Sequence, residues 1–148
     1  MERAPAREKP SAVGEPSYNG LTMQNVIAIC LGASAGALAR WQLGLWLNQS
    51  QALLPWGTLA ANLIGGYLVG VCLGVVQQMP DLDPVWRLAL VTGFLGALTT
   101  FSSFSAEVVS MLQGGRYSLA LGTVGLHLLG SLALTLLGLK TVALFWAR

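Results

Sequence analysis

Charged residues are scarce in this chain, which has 148 residues of which only 9% are charged. A soluble globular domain carries about 25%. Six charged residues lie in the first twenty positions, so only eight serve the rest of the chain. Because eight charges cannot cover a soluble body of this size, the composition excludes an ordinary soluble enzyme, and the lack of a basic face excludes a nucleic-acid binder. The 54% hydrophobic content instead predicts a small, all-α integral membrane protein.

Residues suited to metal or acid–base chemistry are also few. Cys30 and Cys72 lie in apolar runs, where cysteine behaves as a small hydrophobe, so neither is predicted to form a disulfide. No CxxC pair occurs and His127 is the only histidine, which argues against a structural zinc site. The sequence offers no catalytic triad, dyad or metal cluster, and the chain is therefore not expected to be an enzyme.

Long apolar runs fill the remainder of the sequence. Residues 1–20 are rich in Pro, Ala, Glu and Arg and are predicted to form a disordered hydrophilic tail. Residues 21–148 then form a four-helix transmembrane domain, with segments at about 22–47, 56–78, 85–112 and 117–146, because a helix needs about 20 apolar residues to cross a bilayer. The runs are continuous rather than alternating, which favours helices over a barrel.

Glycine recurs at a four-residue spacing in the first two segments. Gly32 and Gly36 form one such pair, and Gly66, Gly70 and Gly74 form a longer series. Small residues at this spacing let helix backbones approach closely in lipid. We expect these glycines to be helix-packing seams in a compact bundle, with self-association as a further possibility.

Polar residues also recur every four positions in two of the segments. Thr58 and Asn62 share one face of the second segment, which Gly66 continues. His127, Ser131 and Thr135 form a stripe on the fourth. Two interpretations remain open for each face: hydrogen bonds between helices, or a hydrated path, since polar groups within a membrane are costly to keep.

The third segment predicts a helix that breaks near its middle. Gly93 and Gly96 precede a run of hydroxyl residues at 99–105, and this composition weakens a helix at mid-depth. Backbone groups freed there are tolerated only where they line a cavity or bind an ion, and carbonyl oxygens suit hard cations such as Na⁺. Phe101 and Phe104 share a face. They either pack as a pair or present their positive ring edges to an anion.

Two ionisable residues lie in the outer thirds of their segments, namely Arg40 in the first and Glu107 in the third. Each can snorkel to the membrane interface or pair within the bundle. Arg40 is followed by Trp41, an interfacial residue type, so the interface is the expected place for Arg40.

Several strings together resemble the Fluc (CrcB) family of fluoride channels. They are GALARW at 36–41, GTLAANLIG at 57–65, TGFLG at 92–96, TTFSSFS-x-E at 99–107 and H-x3-S at 127–131, in an order and spacing that fit across about residues 23–147. The resemblance implies an antiparallel, dual-topology dimer of four-helix subunits with two pores and a central Na⁺ as structural cofactor. It implies passive export of fluoride through the cytoplasmic membrane, and hence fluoride resistance.

The resemblance also implies roles for individual residues. Phe101 and Phe104 would present ring edges to the fluoride path, and Asn62 would donate its amide to the anion. The hydroxyl track would consist of Ser131 and Thr135, with Thr100 nearby. Arg40 would lie at the vestibule and Glu107 near the opposite end of the path. The main-chain carbonyls for Na⁺ would belong to Gly96 and Thr99.

The N-terminal tail bears on the partner of this chain. If successive loops lie on alternate sides of the membrane, six basic residues lie on the side of the N-terminus and two on the other side. Without the tail the counts are three and two. Dual insertion needs a weak bias. The partner is therefore either a second copy or a homologous subunit of opposite orientation.

Two other functions are weighed against the channel. A small proton-coupled multidrug exporter has a similar length, but it needs a central carboxylate in its first helix, and none is present there. A non-transporting assembly subunit held by its glycine seams is the other alternative, which a flux measurement separates from a channel.

Overall fold

The fold is known from a computed structural model that describes residues 22–48 and 53–147. The predicted tail at 1–20 lies outside the described residues. All regular structure in the described ranges is helical. In chain order the elements are α1 (Met23–Leu47), α2 (Trp56–Gln78), α3 (Pro84–Arg87), a π-helical segment (Leu88–Leu95), α4 (Gly96–Leu98), α5 (Phe101–Gln113) and α6 (Tyr117–Trp146).

Four of these stretches are long and apolar enough to cross a membrane. The first, second and fourth spans are α1, α2 and α6, and the third runs from Pro84 to Gln113. At about 1.5 Å per residue, the 25 residues of α1 extend about 37 Å, more than the hydrocarbon core requires. The chain is a multi-pass membrane protein, and the predicted all-helical architecture of four spans is confirmed.

The third span crosses in one direction, but its helix is not uniform. It begins with Asp83 as N-cap and Pro84 in the first turn, a favourable start for a helix. It then widens into a π-helical segment, a rare form that is frequent at functional sites. The helix stops at Leu98 and starts again at Phe101. The predicted break near the middle of this helix is confirmed.

The spans pack as two parallel pairs, α2 with α6 and α1 with the π-helical segment. The predicted glycine seams lie in these contacts. A Cβ atom on Gly70 would collide with the Thr135 carbonyl, and one on Gly138 would collide with the Tyr67 carbonyl. A Cβ on Gly36 would collide in the same way with the Phe94 carbonyl. Glycine is required here because each helix backbone lies directly against its neighbour.

Large apolar side chains cover much of the outside of the bundle. Leu31, Leu121 and Leu129 are 68%, 74% and 66% exposed, whereas the buried core is a small cluster of Ala61, Leu95 and Leu98. Apolar surface of this extent is stable only against lipid or another subunit.

We predict that Gly70→Ala destabilises the bundle by about 1–3 kcal/mol, since the added methyl group overpacks the contact between α2 and α6. Thermal unfolding of the detergent-solubilised protein measures the effect. Gly122→Ala is the matched control, because nothing lies within 4 Å of a Cβ at that position in α6. Equal melting temperatures for the two variants would contradict the close-packed seam.

Candidate ion-conduction site

The break in the third span consists of two extended residues. Thr99 has φ −78° and ψ 155°, and Thr100 has φ −150° and ψ 124°. Thr100 then acts as N-cap of α5, since its Oγ1 accepts a 3.1 Å hydrogen bond from the Ser103 backbone N–H. The hydroxyl residues that weaken the helix therefore also start the next one.

Asn62 of α2 holds the exposed backbone of this break. Its Oδ1 accepts from the Thr100 N–H at 2.8 Å, and its Nδ2 donates to the Thr100 carbonyl at 3.0 Å. The same Nδ2 lies 3.0 Å from Nδ1 of His127 in α6. One amide therefore joins three spans. Both of its hydrogens have partners inside the chain, so an anion that Asn62 binds must compete with one of them.

His127 belongs to the site, although the sequence reasoning kept it in the polar stripe and left it out of the proposed pathway. Because an amide NH2 only donates, Nδ1 of His127 accepts, and a neutral imidazole then carries its hydrogen on Nε2. Nε2 is buried and has no hydrogen-bond partner among the described residues. The ring lies against Phe104, with centroids 4.6 Å apart. His127 thus holds a spare donor beside a phenyl ring.

A groove of about 400 Å³ runs along this region between α2, α5 and α6. Phe101 and Phe104 lie in its wall with ring centroids 5.5 Å apart and planes tilted by 58°. Phe101 is 79% exposed, so the groove is open on its side. The structure brings six of the eight predicted pathway residues together here, with the predicted Na⁺ ligand Thr99 beside them: Asn62, Thr100, Phe101, Phe104, Ser131 and Thr135.

The stripe on α6 makes a hydrogen bond between helices and also lines the groove, while the hydrated path stays a prediction. The single hydrogen of the Thr135 hydroxyl is shared between the Gly66 carbonyl across the helix pair and the Ser131 carbonyl of its own helix, each 2.9 Å from the oxygen. Thr135 therefore makes a hydrogen bond between helices and also forms part of the groove wall. Ser131 lies one turn nearer to His127 and lines the same groove.

Glu107 lies outside this groove but contacts the same face of α2. The Thr58 hydroxyl donates to its Oε1 at 2.5 Å, and its Oε2 is buried with no hydrogen-bond partner among the described residues. Thr58 was not among the predicted site residues. Its four-residue spacing from Asn62, which places both on one face of α2, was the sequence signal that could have identified it. Glu107 lines a second cavity nearer the end of the bundle.

Arg40 is the predicted pathway residue that lines neither cavity, and the predicted Na⁺ ligand Gly96 lines neither as well. It is half-buried in α1, and its Nε is buried without a partner among the described residues. Its assignment to a vestibule stays a prediction.

The predicted Na⁺ ligands, Gly96 and Thr99, have carbonyls released by the break. In a continuous helix the Gly96 carbonyl would accept from Thr100, whose N–H donates to Asn62 instead. The Thr99 carbonyl would accept from Ser103, whose N–H donates to the Thr100 side chain. Two carbonyls without their helical donors suit a hard cation, so these residues fit the ion that the resemblance implies.

Comparison with known proteins identifies the family of this chain. A family model described as "CrcB-like protein, Camphor Resistance (CrcB)" matches residues 27–139. The chain belongs to the CrcB family. It is 72% identical over 119 residues to the "Fluoride-specific ion channel FluC" of Albidiferax ferrireducens, which covers 80% of this chain and 91% of the relative. The FluC of Variovorax paradoxus is 65% identical over 79% of this chain and 93% of the relative. The FluC of Tolumonas auensis is 53% identical over 82% of this chain and 96% of the relative.

We predict that Asn62→Ala loosens the break, because it leaves both backbone groups of Thr100 unpaired at about 1–3 kcal/mol each. Hydrogen exchange followed by mass spectrometry should show faster exchange in peptides that span residues 98–104. Asn62→Asp is the matched variant, since it keeps the acceptor for the Thr100 N–H and should retain more protection of that amide. Unchanged exchange in Asn62→Ala would contradict the role of this side chain.

Proposed function

We propose that this CrcB-family protein is a fluoride-selective channel that lets fluoride leave the cell passively through the cytoplasmic membrane. The observation that carries the proposal is the groove at the break, which combines neutral hydrogen-bond donors with two phenyl rings. The 72% identity to a relative named as a fluoride-specific channel supports the same conclusion. Conduction needs no residue to turn over, which agrees with the prediction that the chain is not an enzyme.

Selectivity for fluoride follows from the kind of groups in the groove. Fluoride is small and strongly hydrated, so a pore must replace its water with donors. The Ser131 hydroxyl and Nε2 of His127 are donors without charge. The Thr100 hydroxyl donates to Ser103 Oγ at 3.2 Å, so an anion must compete with that bond for its hydrogen. The positive ring edges of Phe101 and Phe104 would attract an anion weakly, and a second subunit that closes the groove over these rings would narrow the passage against larger halides. A path of this kind binds the ion without trapping it.

The open side of the groove supports a two-subunit pore. Phe101 is 79% exposed and would face lipid in a lone subunit, where a conducted anion would have no second wall. A second copy, or a homologous subunit, placed antiparallel would close the groove and form an equivalent pore from its own groove. The dimer therefore would have two pores.

The carbonyls of Gly96 and Thr99 would hold the structural Na⁺ of this dimer. Gly96 is exposed on the surface of the subunit, where equivalent carbonyls of a partner can approach. When bound, a cation would supply positive charge that offsets the dipoles of these carbonyls.

The multidrug exporter is not favoured. The first span, Met23–Leu47, contains no carboxylate to exchange protons for cationic substrates. The relatives at 52–72% identity are all named as fluoride-specific channels.

We expect purified protein in liposomes to release fluoride on a fluoride gradient with Na⁺ present, and to release chloride far more slowly. An ion-selective electrode measures both, with a protein-free liposome as control. Folded protein that passes neither anion, or passes both equally, would contradict the proposed function.

We predict that Phe104→Ile lowers fluoride efflux at least about tenfold, which corresponds to 1.4 kcal/mol, because an aliphatic side chain lacks the positive ring edge. Phe101→Ile should act in the same direction. Phe145→Ile is the matched control, since Phe145 is 72% exposed near the end of α6 and outside the groove. Size-exclusion profiles establish that the variants assemble normally. Equal flux in all three variants would remove the ring-edge role.

A further inference from the structure

A second cavity opens at the end of the bundle where α1 and α5 finish and α2 and α6 begin. Its volume is about 460 Å³. Apolar residues form much of the lining, and its polar side chains are Asn48, Glu107, Ser110 and Arg116. Glu107 also contacts Thr58, one turn from Asn62 along α2, so one wall of this cavity lies close to the residues of the groove at the break.

The two charged residues of this cavity have opposite signs and different depths. The Glu107 carboxylate is half-buried and has one oxygen without a hydrogen-bond partner among the described residues. Arg116 is exposed at the rim, in the turn between α5 and α6. The backbone N–H of Arg116 donates to the Met111 carbonyl at 2.9 Å, and Gly115 makes the turn with φ +70°. The backbone of Arg116 is thus fixed next to the cavity while its side chain reaches solvent.

Arg116 is the one cationic residue that lines this cavity in the described part of the chain. Arg87 begins the third span at the opposite end of the bundle, and Lys140 lies near the end of α6 on that same side. Arg40 lines neither cavity. Within the cavity of one subunit, the exposed Arg116 therefore lies at the entrance, outward of the half-buried carboxylate of Glu107.

We propose that Arg116 draws fluoride into this cavity and offsets the repulsion of Glu107, which makes the cavity the electrostatic entrance to the pathway. The inference rests on the proposed function. A single charge at the rim of a low-dielectric cleft raises the local concentration of an oppositely charged ion, and salt screens the effect. Arg116 does not bind fluoride inside the pore, so its influence belongs to entry and not to selectivity.

A charge series at Arg116 tests this in liposomes of neutral lipid with constant Na⁺. At about 10 mM ionic strength, where the Debye length is about 30 Å, fluoride efflux should be similar for wild type and Arg116→Lys. It should be about threefold lower for Arg116→Gln and lower again for Arg116→Glu. At about 1 M of an impermeant salt, where the Debye length is about 3 Å, the four rates should converge.

The control is Arg87→Gln, which removes the same charge from a residue outside both cavities. The proposal is overturned if the order of rates is absent, if the losses persist at high salt, or if Arg87→Gln shows the same salt-dependent loss. Wild-type protein without fluoride flux would instead contradict the proposed function itself. A labelling measurement that does not depend on flux tests the role of Arg116 separately.

The electrostatic potential in the cavity is measured through the labelling rate of a single cysteine placed there by Ser110→Cys. Cys30→Ala and Cys72→Ala remove the two native free cysteines. Rates are compared for an anionic methanethiosulfonate (sulfonatoethyl) and a cationic one (trimethylammonioethyl). Adding Arg116→Gln should lower the ratio of anionic to cationic rates about threefold at low ionic strength, and Arg116→Lys should leave it unchanged. A ratio that Arg116→Gln does not alter overturns the proposal, whatever the flux.

Discussion

The pairing of the Asn62 side chain with the backbone of Thr100 is the interaction on which the rest of the structure depends. A helix interrupted within a membrane exposes polar backbone groups that lipid cannot satisfy. Asn62 meets the N–H at 2.8 Å and the carbonyl at 3.0 Å, so it replaces the helical partners of one residue. Without this amide the break would be costly, and with it the chain can turn at mid-depth and start α5 on a Thr100 cap.

Several features of the site follow from that pairing. The Thr100 N–H is drawn away from Gly96, whose carbonyl is left available to a cation. The restart at Phe101 gives the two phenyl rings one helical face, and Phe104 then packs on His127. His127 accepts from the same amide, which leaves its other nitrogen as a donor. The pairing that stabilises a broken helix thereby brings neutral donors and two phenyl rings into one groove.

The sequence predicted the spans, the glycine seams and the break, because each depends on local composition. Apolar length determines a span, and two glycines followed by hydroxyl residues weaken a helix whatever surrounds them. The sequence did not predict the partners of the polar side chains. Asn62 and Thr100 are 38 residues apart, and Thr58 and Glu107 are 49 apart. Such contacts depend on the register between spans. The π-helical segment also has no local signal here, since its apolar residues read equally well as an α-helix.

The close packing of α2 on α6 explains why these contacts are possible at all. Glycines at 70 and 138 bring the two backbones together, so that short side chains reach across the seam. The Thr135 hydroxyl meets the Gly66 carbonyl at 2.9 Å, and Asn62 reaches His127 at 3.0 Å. With larger residues in the seam the helices would separate, and only long, mostly charged side chains would span the gap. A charged group at that depth would be costly in lipid and would hold an anion too tightly to release it. The abundance of glycine and the scarcity of charge are therefore linked, since close backbones let neutral groups line the proposed pathway.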